Sequence, residues 1–414
     1  MINFFRLNFE HWLWTLFGCS LLFGQGLRYS KLYLAHALLC SIFFFYLYKR
    51  ETIKINLKLF GILSFFITYV AFSLVWSPNW RNGLYDLFYL CFGAASLLIL
   101  TSKNVPVAVF RKSLLVVYTL NLLLSLLETF NVVRWPHSTI AVYFNIIWET
   151  KHLDLPTGFL WNPNNNALFI AMFLPWVFYF TKGFVRLGLF ILATFIVWRC
   201  GSKLVLLGYI PLFFTLIIVW AFEIKKMKYV FISGLLILLL PLSYLTFQKS
   251  STEFRSQKYA KTEKVVTLFA QNATDIVSSG LRNEQAVFDF SNYDQSLHER
   301  LVLFELLVNQ SIKAPLFGNG AGSLKQFEEV KKYHHLMVLT PHFYYMEIWA
   351  KFGFLILGLY LVLLGYLMKK LVRYNKYGAI SLSFFTLFNI VLPTASYFLP
   401  MWYLYSLSLK SEEL

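Results

Sequence analysis

Apolar runs of roughly 20 residues recur along this 414-residue chain from near its start to near its end. At about 1.5 Å of rise per residue, each is long enough to cross a hydrocarbon core of ~30 Å as a helix. In lipid every backbone N–H and C=O must be satisfied inside the chain, which leaves only helices or closed barrels. A barrel would show short segments of alternating polarity, whereas these runs are continuous. The chain therefore reads as an all-α, polytopic integral membrane protein. Its composition agrees: 58% of residues are hydrophobic and 14% charged, against about 45–50% and about 25% in soluble domains. The first run has no small-residue cleavage site and is followed by others like it, so it reads as a span and not as a cleaved leader.

The runs predict about twelve transmembrane helices, over 11–27, 31–48, 59–76, 83–101, 113–130, 164–181, 187–198, 204–222, 229–246, 343–368, 379–392 and 395–409. Three regions follow: nine spans in 1–246, one large insert with amphipathic helices in 247–340, and three spans in 341–414. Leu392-Pro393-Thr394 separates the last two spans, because proline cannot continue a helical hydrogen-bond ladder.

The formal charge of +17 raises the possibility of a nucleic-acid partner, and its distribution removes it. About sixteen Lys and Arg residues fall in alternate turns, those of Lys49–Lys58, Lys103–Lys112, Lys182–Arg186, Lys225–Lys228 and Lys369–Lys376. The short turns of the other side hold about seven. The positive-inside rule puts the first set, and both termini, in the cytoplasm. The connections 131–163 and 247–340 then face outward. The insert carries about 11 basic and about 10 acidic residues and is near neutral, so the surplus is topological. Four cysteines (Cys19, Cys40, Cys91, Cys200) are scattered, without a C-x-x-C pair, and indicate neither a disulfide frame nor a thiolate metal site.

Polar chemistry concentrates on the outward side, and each cluster reads in two ways. Arg300, after His298 and Glu299, precedes an apolar run whose Leu303, Leu306 and Leu307 would share the buried face of a helix lying along the membrane surface. Its guanidinium is either an interfacial anchor or a bidentate clamp on phosphate. Pro315-Leu316-Phe317-Gly318-Asn319-Gly320 is either a plain turn or a set of exposed N–H groups for an anion. His342 opens an apolar helix after Pro341 and is either structural or a proton acceptor near neutral pH. Glu347 lies five residues on and Lys351 nine, a spacing that does not make a two-ligand metal helix. Lys203, close after Arg199, either snorkels to the interface or adds a second cation to the same anion. Asn162, Asn164, Asn165 and Asn166 start the sixth span; one asparagine suffices as an N-cap. Outward aromatics (Trp135, Tyr143, Trp148, Trp161, Tyr333, Tyr344) read mostly as an interfacial belt, and otherwise as sugar-stacking rings.

Taken in order, these stretches resemble the O-antigen ligase family, a superfamily that includes O-antigen polymerases and O-oligosaccharyltransferases. The resemblance rests on Arg300 before an amphipathic helix, the Pro315/Gly318/Gly320 turn, and His342 opening a transmembrane helix with Gly353 eleven residues on. It extends to Gly158 through Asn164, which matches a Gly-x-x-x-Asn-Pro-Asn stretch, and to Ser202-Lys203, which matches a Ser-Arg helix start. Two positions depart from the pattern: Lys203 stands where the family usually has Arg, losing the bidentate fork, and Phe343 follows the histidine where a polar residue is usual.

The resemblance implies a GT-C-like glycosyltransferase of the bacterial inner membrane with its site on the periplasmic face. It would move a glycan from undecaprenyl diphosphate to an acceptor hydroxyl on lipid A–core. Arg300, with Lys203 and Arg199, would neutralise the leaving diphosphate, and His342 would orient or deprotonate the acceptor. Glu299, Glu305 and Glu347 are rival bases, and Asn164, Gly318 and Gly320 support the site. No cofactor, metal or nucleotide is expected. The alternatives are an O-antigen polymerase joining two lipid-linked repeats, a polysaccharide or lipid exporter, and a non-catalytic assembly partner. An exporter predicts charges at mid-depth in the membrane, whereas the charges here are expected outside it.

Overall fold

The computed structural model describes residues 2–29, 32–135, 155–160, 162–224, 295–326, 344–388 and 398–413. Among them are twelve α-helices. The first eight are α1 (Ile2–Phe23), α2 (Leu34–Lys49), α3 (Leu57–Ser73), α4 (Trp80–Leu100), α5 (Val107–Thr129), α6 (Pro163–Phe180), α7 (Gly183–Arg199) and α8 (Lys203–Ile224). They are followed by α9 (Gln295–Lys313), α10 (Tyr344–Tyr374), α11 (Lys376–Phe388) and α12 (Leu399–Leu409). A two-stranded hairpin, β1 (Arg28–Tyr29) and β2 (Leu32–Tyr33), joins α1 to α2.

Eight helices stand at the first eight expected spans and three at the last three; α9 is the expected amphipathic helix of the insert. The ninth span at 229–246 lies outside the described residues. By length and composition, α4, α5, α8 over Leu204–Glu223 and α10 are apolar enough to cross a membrane. α2 and α3 are shorter apolar helices.

α6 is the hub. Every residue from Asn165 to Phe178 is buried, as expected of a helix apolar on all faces. It packs against α5, α7, α8 and α11, while α1 lies on α5 and α12 on α4. Contacts between connections sort the bundle into two ends. At one, Lys54 N donates to Asn104, and Arg111 on α5 lines a groove with Lys182 from the α6–α7 turn. Arg186 and Lys376 both pair with Glu223 there. These are the turns where the sequence concentrates its basic residues. At the other end, Trp135 donates to Gly26 O, Cys200 meets Pro156 O, and Ser77 meets Ala321 O.

Helix α9 differs from expectation in what it covers. Leu303 and Leu307, one helical turn apart, are fully buried against Ala350 of α10, with Leu306 only partly buried beside them. The apolar face therefore has a protein partner. Trp135 and Tyr344 also differ from a lipid-facing belt: Trp135 stacks edge-on with Phe159 at 4.8 Å, and Tyr344 is buried against Tyr360 at 5.5 Å. Tyr143, Trp148, Trp161 and Tyr333 lie outside the described residues.

Candidate active site

The glycine turn and the start of α10 are one structural unit. Within α10, Gly353 adopts φ 78°, ψ 176°, a region essentially closed to residues with a Cβ. Phe354 N, which an unbroken helix would donate to Ala350 O, donates instead to Pro315 O at 2.8 Å. Ala350 O and Lys351 O accept from Asn319 N at 2.9 Å and Gly320 N at 2.8 Å. The turn thus seals the break, so that backbone polar groups buried at this junction keep partners. From α3 and the residues after it, Tyr69 donates to Phe317 O at 2.9 Å and Trp76 Nε1 to Gly318 O at 3.2 Å.

From Gly318 to Gly322 the N–H groups of the turn are engaged within the protein and are not offered to an anion. Gly318 N donates to Ala314 O, Asn319 N and Gly320 N to α10, Ala321 N to Ser73 Oγ, and Gly322 N to Asp86 Oδ2. These groups are consumed in joining α3, α4 and α10. Gly318 and Gly320 therefore act by letting backbones approach: a Cβ on either would overlap main-chain atoms, of Lys351 and Gly353 in one case and Ser73 and Ser77 in the other.

A buried ionic cluster lies directly beneath. Lys351 Nζ stands 3.1 Å from Asp86 Oδ2 and 3.2 Å from Glu347 Oε1, and all three residues are buried. Charges were expected outside the apolar spans, yet these three sit inside α4 and α10. The cost of burying them is offset by mutual pairing and by the Gly322 N–H on Asp86. Asp86 is six residues into α4 and Lys351 seven into α10, about 9–10 Å along each axis, so both lie near the same end of the bundle. Asp86 takes no role from sequence alone, and Lys351 enters only through a spacing that does not suit a metal helix. The available signal was ionisable residues inside apolar helices, with Glu347 and Lys351 at i,i+4. Beside the cluster is a cavity of about 80 Å³ between α3, α4, α10 and α12, walled by Phe66, Tyr344, Tyr360, Trp402 and Tyr405.

The α5–α6 connection forms a second polar unit at this end. Fully buried Glu128 accepts from Thr157 N and Gly158 N, both at 2.7 Å, from Trp135 N at 3.1 Å and from Thr157 Oγ1. Asn121 bridges Phe159 N and Asn166, and Asn166 continues to Ser125. The asparagine run now divides by role. Asn162 caps α6, accepting from Asn165 N at 2.8 Å with Pro163 as the first helical residue, and Asn166 ties α6 to α5. Asn164 is half-exposed in the first turn, and buried Asn165 Oδ1 has no hydrogen-bond partner. Cys200 lies against Pro156 O, and burial, then the nearby Glu128 charge, pushes its thiol up, leaving it unreactive.

Arg199 ends α7 with its guanidinium 5.8 Å from the Trp198 ring, and Lys203 begins α8. The two helix ends are joined at the Cys200–Ser202 turn, the same end as the glycine turn. Arg300 and Glu299 lie on α9, one turn before Leu303; for these two and Lys203 only the backbone is described. His342 lies outside the described residues, two positions before α10 begins. Glu305 is half-buried, and burial pushes its carboxyl up. Glu347, expected as a rival base, is engaged by Lys351.

No curated protein matches the chain. Residues 187–361 match the family model described as O-antigen ligase. That stretch contains Arg199, Lys203, Arg300, the glycine turn, His342 and Gly353. That stretch is similar to the O-antigen ligase family, a likeness that supports a membrane glycosyltransferase of the ligase or polymerase type.

Proposed function

We propose that this protein is an O-antigen ligase of the bacterial inner membrane, transferring a glycan from undecaprenyl diphosphate to a hydroxyl of lipid A–core on the periplasmic side. In this reading the glycan C1–O bond to the diphosphate breaks as the acceptor oxygen bonds to C1. The acceptor proton passes to His342, and undecaprenyl diphosphate leaves. Arg300 holds the developing negative charge bidentately, with Lys203 and Arg199 as further cations. Asn164 and Glu299 line the approach, and Gly318 and Gly320 fix the frame. The energy of transfer is stored in the donor, so neither nucleotide nor metal is required. Residues 247–340 act as the outer, substrate-facing region between nine preceding and three following spans.

The observation that carries this reading is the coincidence of the family match with one end of the bundle. Within 187–361, the Arg199–Lys203 junction and the glycine turn that seats α10 lie at the same end. α9, which bears Arg300, packs on the half of α10 that His342 precedes. Glu347 is a weaker base than His342 here, because its charge is compensated by Lys351.

The test is transfer by purified protein from a lipid-linked glycan, with and without lipid A–core. Arg300→Ala and His342→Ala are expected to lower transfer by at least about 10²-fold, the scale of lost electrostatic or acid–base catalysis, while membrane insertion stays intact. Product that forms only with lipid A–core identifies a ligase. Elongated lipid-linked glycan formed without it identifies the polymerase. Full activity in both variants rejects the site.

A further inference from the structure

At the opposite, basic end of the bundle, a groove of about 850 Å³ runs between the first turns of α5 and the α6–α7 turn. Ligand pockets span roughly 300–1,000 Å³. Val107 and Leu115 from α5 and Tyr179 and Phe180 from α6 form its apolar walls, and Arg111 and Lys182 stand on its rim. Both cations are exposed, and neither has an acidic partner among the described residues. The nearby Glu223 is already held by Arg186 at 3.0 Å and Lys376 at 3.7 Å. The sequence from 87 to 127, which holds Arg111, contains no Asp or Glu.

The turn carrying Lys182 is built rigidly. Thr181 N and Oγ1 both bond Val177 O, at 3.0 and 2.6 Å, and Arg186 Nε donates to Thr181 O at 2.9 Å. Immediately beyond, Phe184 is 93% and Val185 62% exposed, so the groove opens among apolar side chains that face away from the protein. A free inorganic anion has no use for such walls, whereas a phospholipid satisfies both parts. Its phosphodiester pairs with the guanidinium and ammonium, and its glycerol and first acyl carbons lie on the apolar face.

We propose that this groove is a binding site for the headgroup of an anionic phospholipid. The probe is phosphatidylglycerol, added to the full-length protein in phosphatidylcholine nanodiscs and read by native mass spectrometry. Wild type is expected to retain a phosphatidylglycerol that Arg111→Gln/Lys182→Gln binds about thirtyfold more weakly, at about 1 kcal/mol per basic residue. Both side chains are exposed and unpaired, so thermal unfolding in phosphatidylcholine alone should not change. A control, Lys369→Gln/Arg373→Gln, removes two exposed cations on α10 toward the same end and should keep the lipid. The site is overturned by equal retention in wild type and the first variant, by equal loss in the control, or by displacement with millimolar inorganic phosphate. Because the assay reads lipid and not transfer, its outcome is independent of the proposed activity.

Discussion

The absence of one Cβ decides how α10 meets the glycine turn. At Gly353 a methyl group would overlap Leu316 O, and the backbone lies at φ 78°. Gly353→Ala combines a strained conformation, of order 1–3 kcal/mol, with displacement of Leu316. It should lower the thermal unfolding temperature in detergent by several degrees and lower transfer with it. An unchanged melting curve would mean that the break is not held as described. The glycines of the turn marked it in the sequence, while Gly353 was singled out through resemblance alone. What the sequence could not convey is that the two clasp each other, because positive φ and main-chain contact leave no mark beyond the glycine itself. The asparagine run was legible in part: capping chemistry identified one residue's role, while Asn166 works through Asn121, forty-five positions earlier.

Among elements, α4 and α10 are joined through charge. Lys351 pairs with two buried carboxylates, so removing it strips that counter-charge from both Asp86 and Glu347, while removing Asp86 leaves Lys351 still paired to Glu347. Lys351→Met should therefore destabilise more than Asp86→Leu, by about 3–5 kcal/mol where a buried partner is stripped of its counter-charge. Denaturation of the two variants in one detergent checks the order, and the reverse order would refute the pairing scheme. Local periodicity made α9 legible: Leu303 and Leu307 at i,i+4 announced its buried face. It was silent on the partner, since Ala350 is a small residue on a helix far along the chain. The Asp86–Lys351 pair was hidden for the same reason, its members lying 265 residues apart.

At the scale of the whole molecule, the described connections gather at two ends, one of them rich in Lys and Arg, and the family match holds the ordered motifs from Ser202 to Gly353, with Gly158–Asn164 before it. Hydrophobic run length carried most of the helix positions among the described residues, because a continuous apolar run is visible in composition. The polar lining did not follow from composition, since a buried carboxylate such as Glu128 looks in sequence like the end of one more span. Its four donors make it the anchor of the α5–α6 corner. Glu128→Gln turns an amide N–H₂ toward at least one backbone N–H, which can only donate, and charge-assisted bonds are worth roughly 1.5–3 kcal/mol each. The variant should unfold at a lower temperature than wild type at neutral pH, and a coincident curve would deny Glu128 that role.

Glu128 also imposes a schedule on synthesis. Its shortest bonds come from Thr157 N and Gly158 N, 29 and 30 residues downstream, so a newly made α5 lacks these two donors while they are still being translated. At about 5–20 residues per second that interval is on the order of 2–6 seconds. Final docking of α5 against α6 therefore waits for the ribosome to deliver the start of α6.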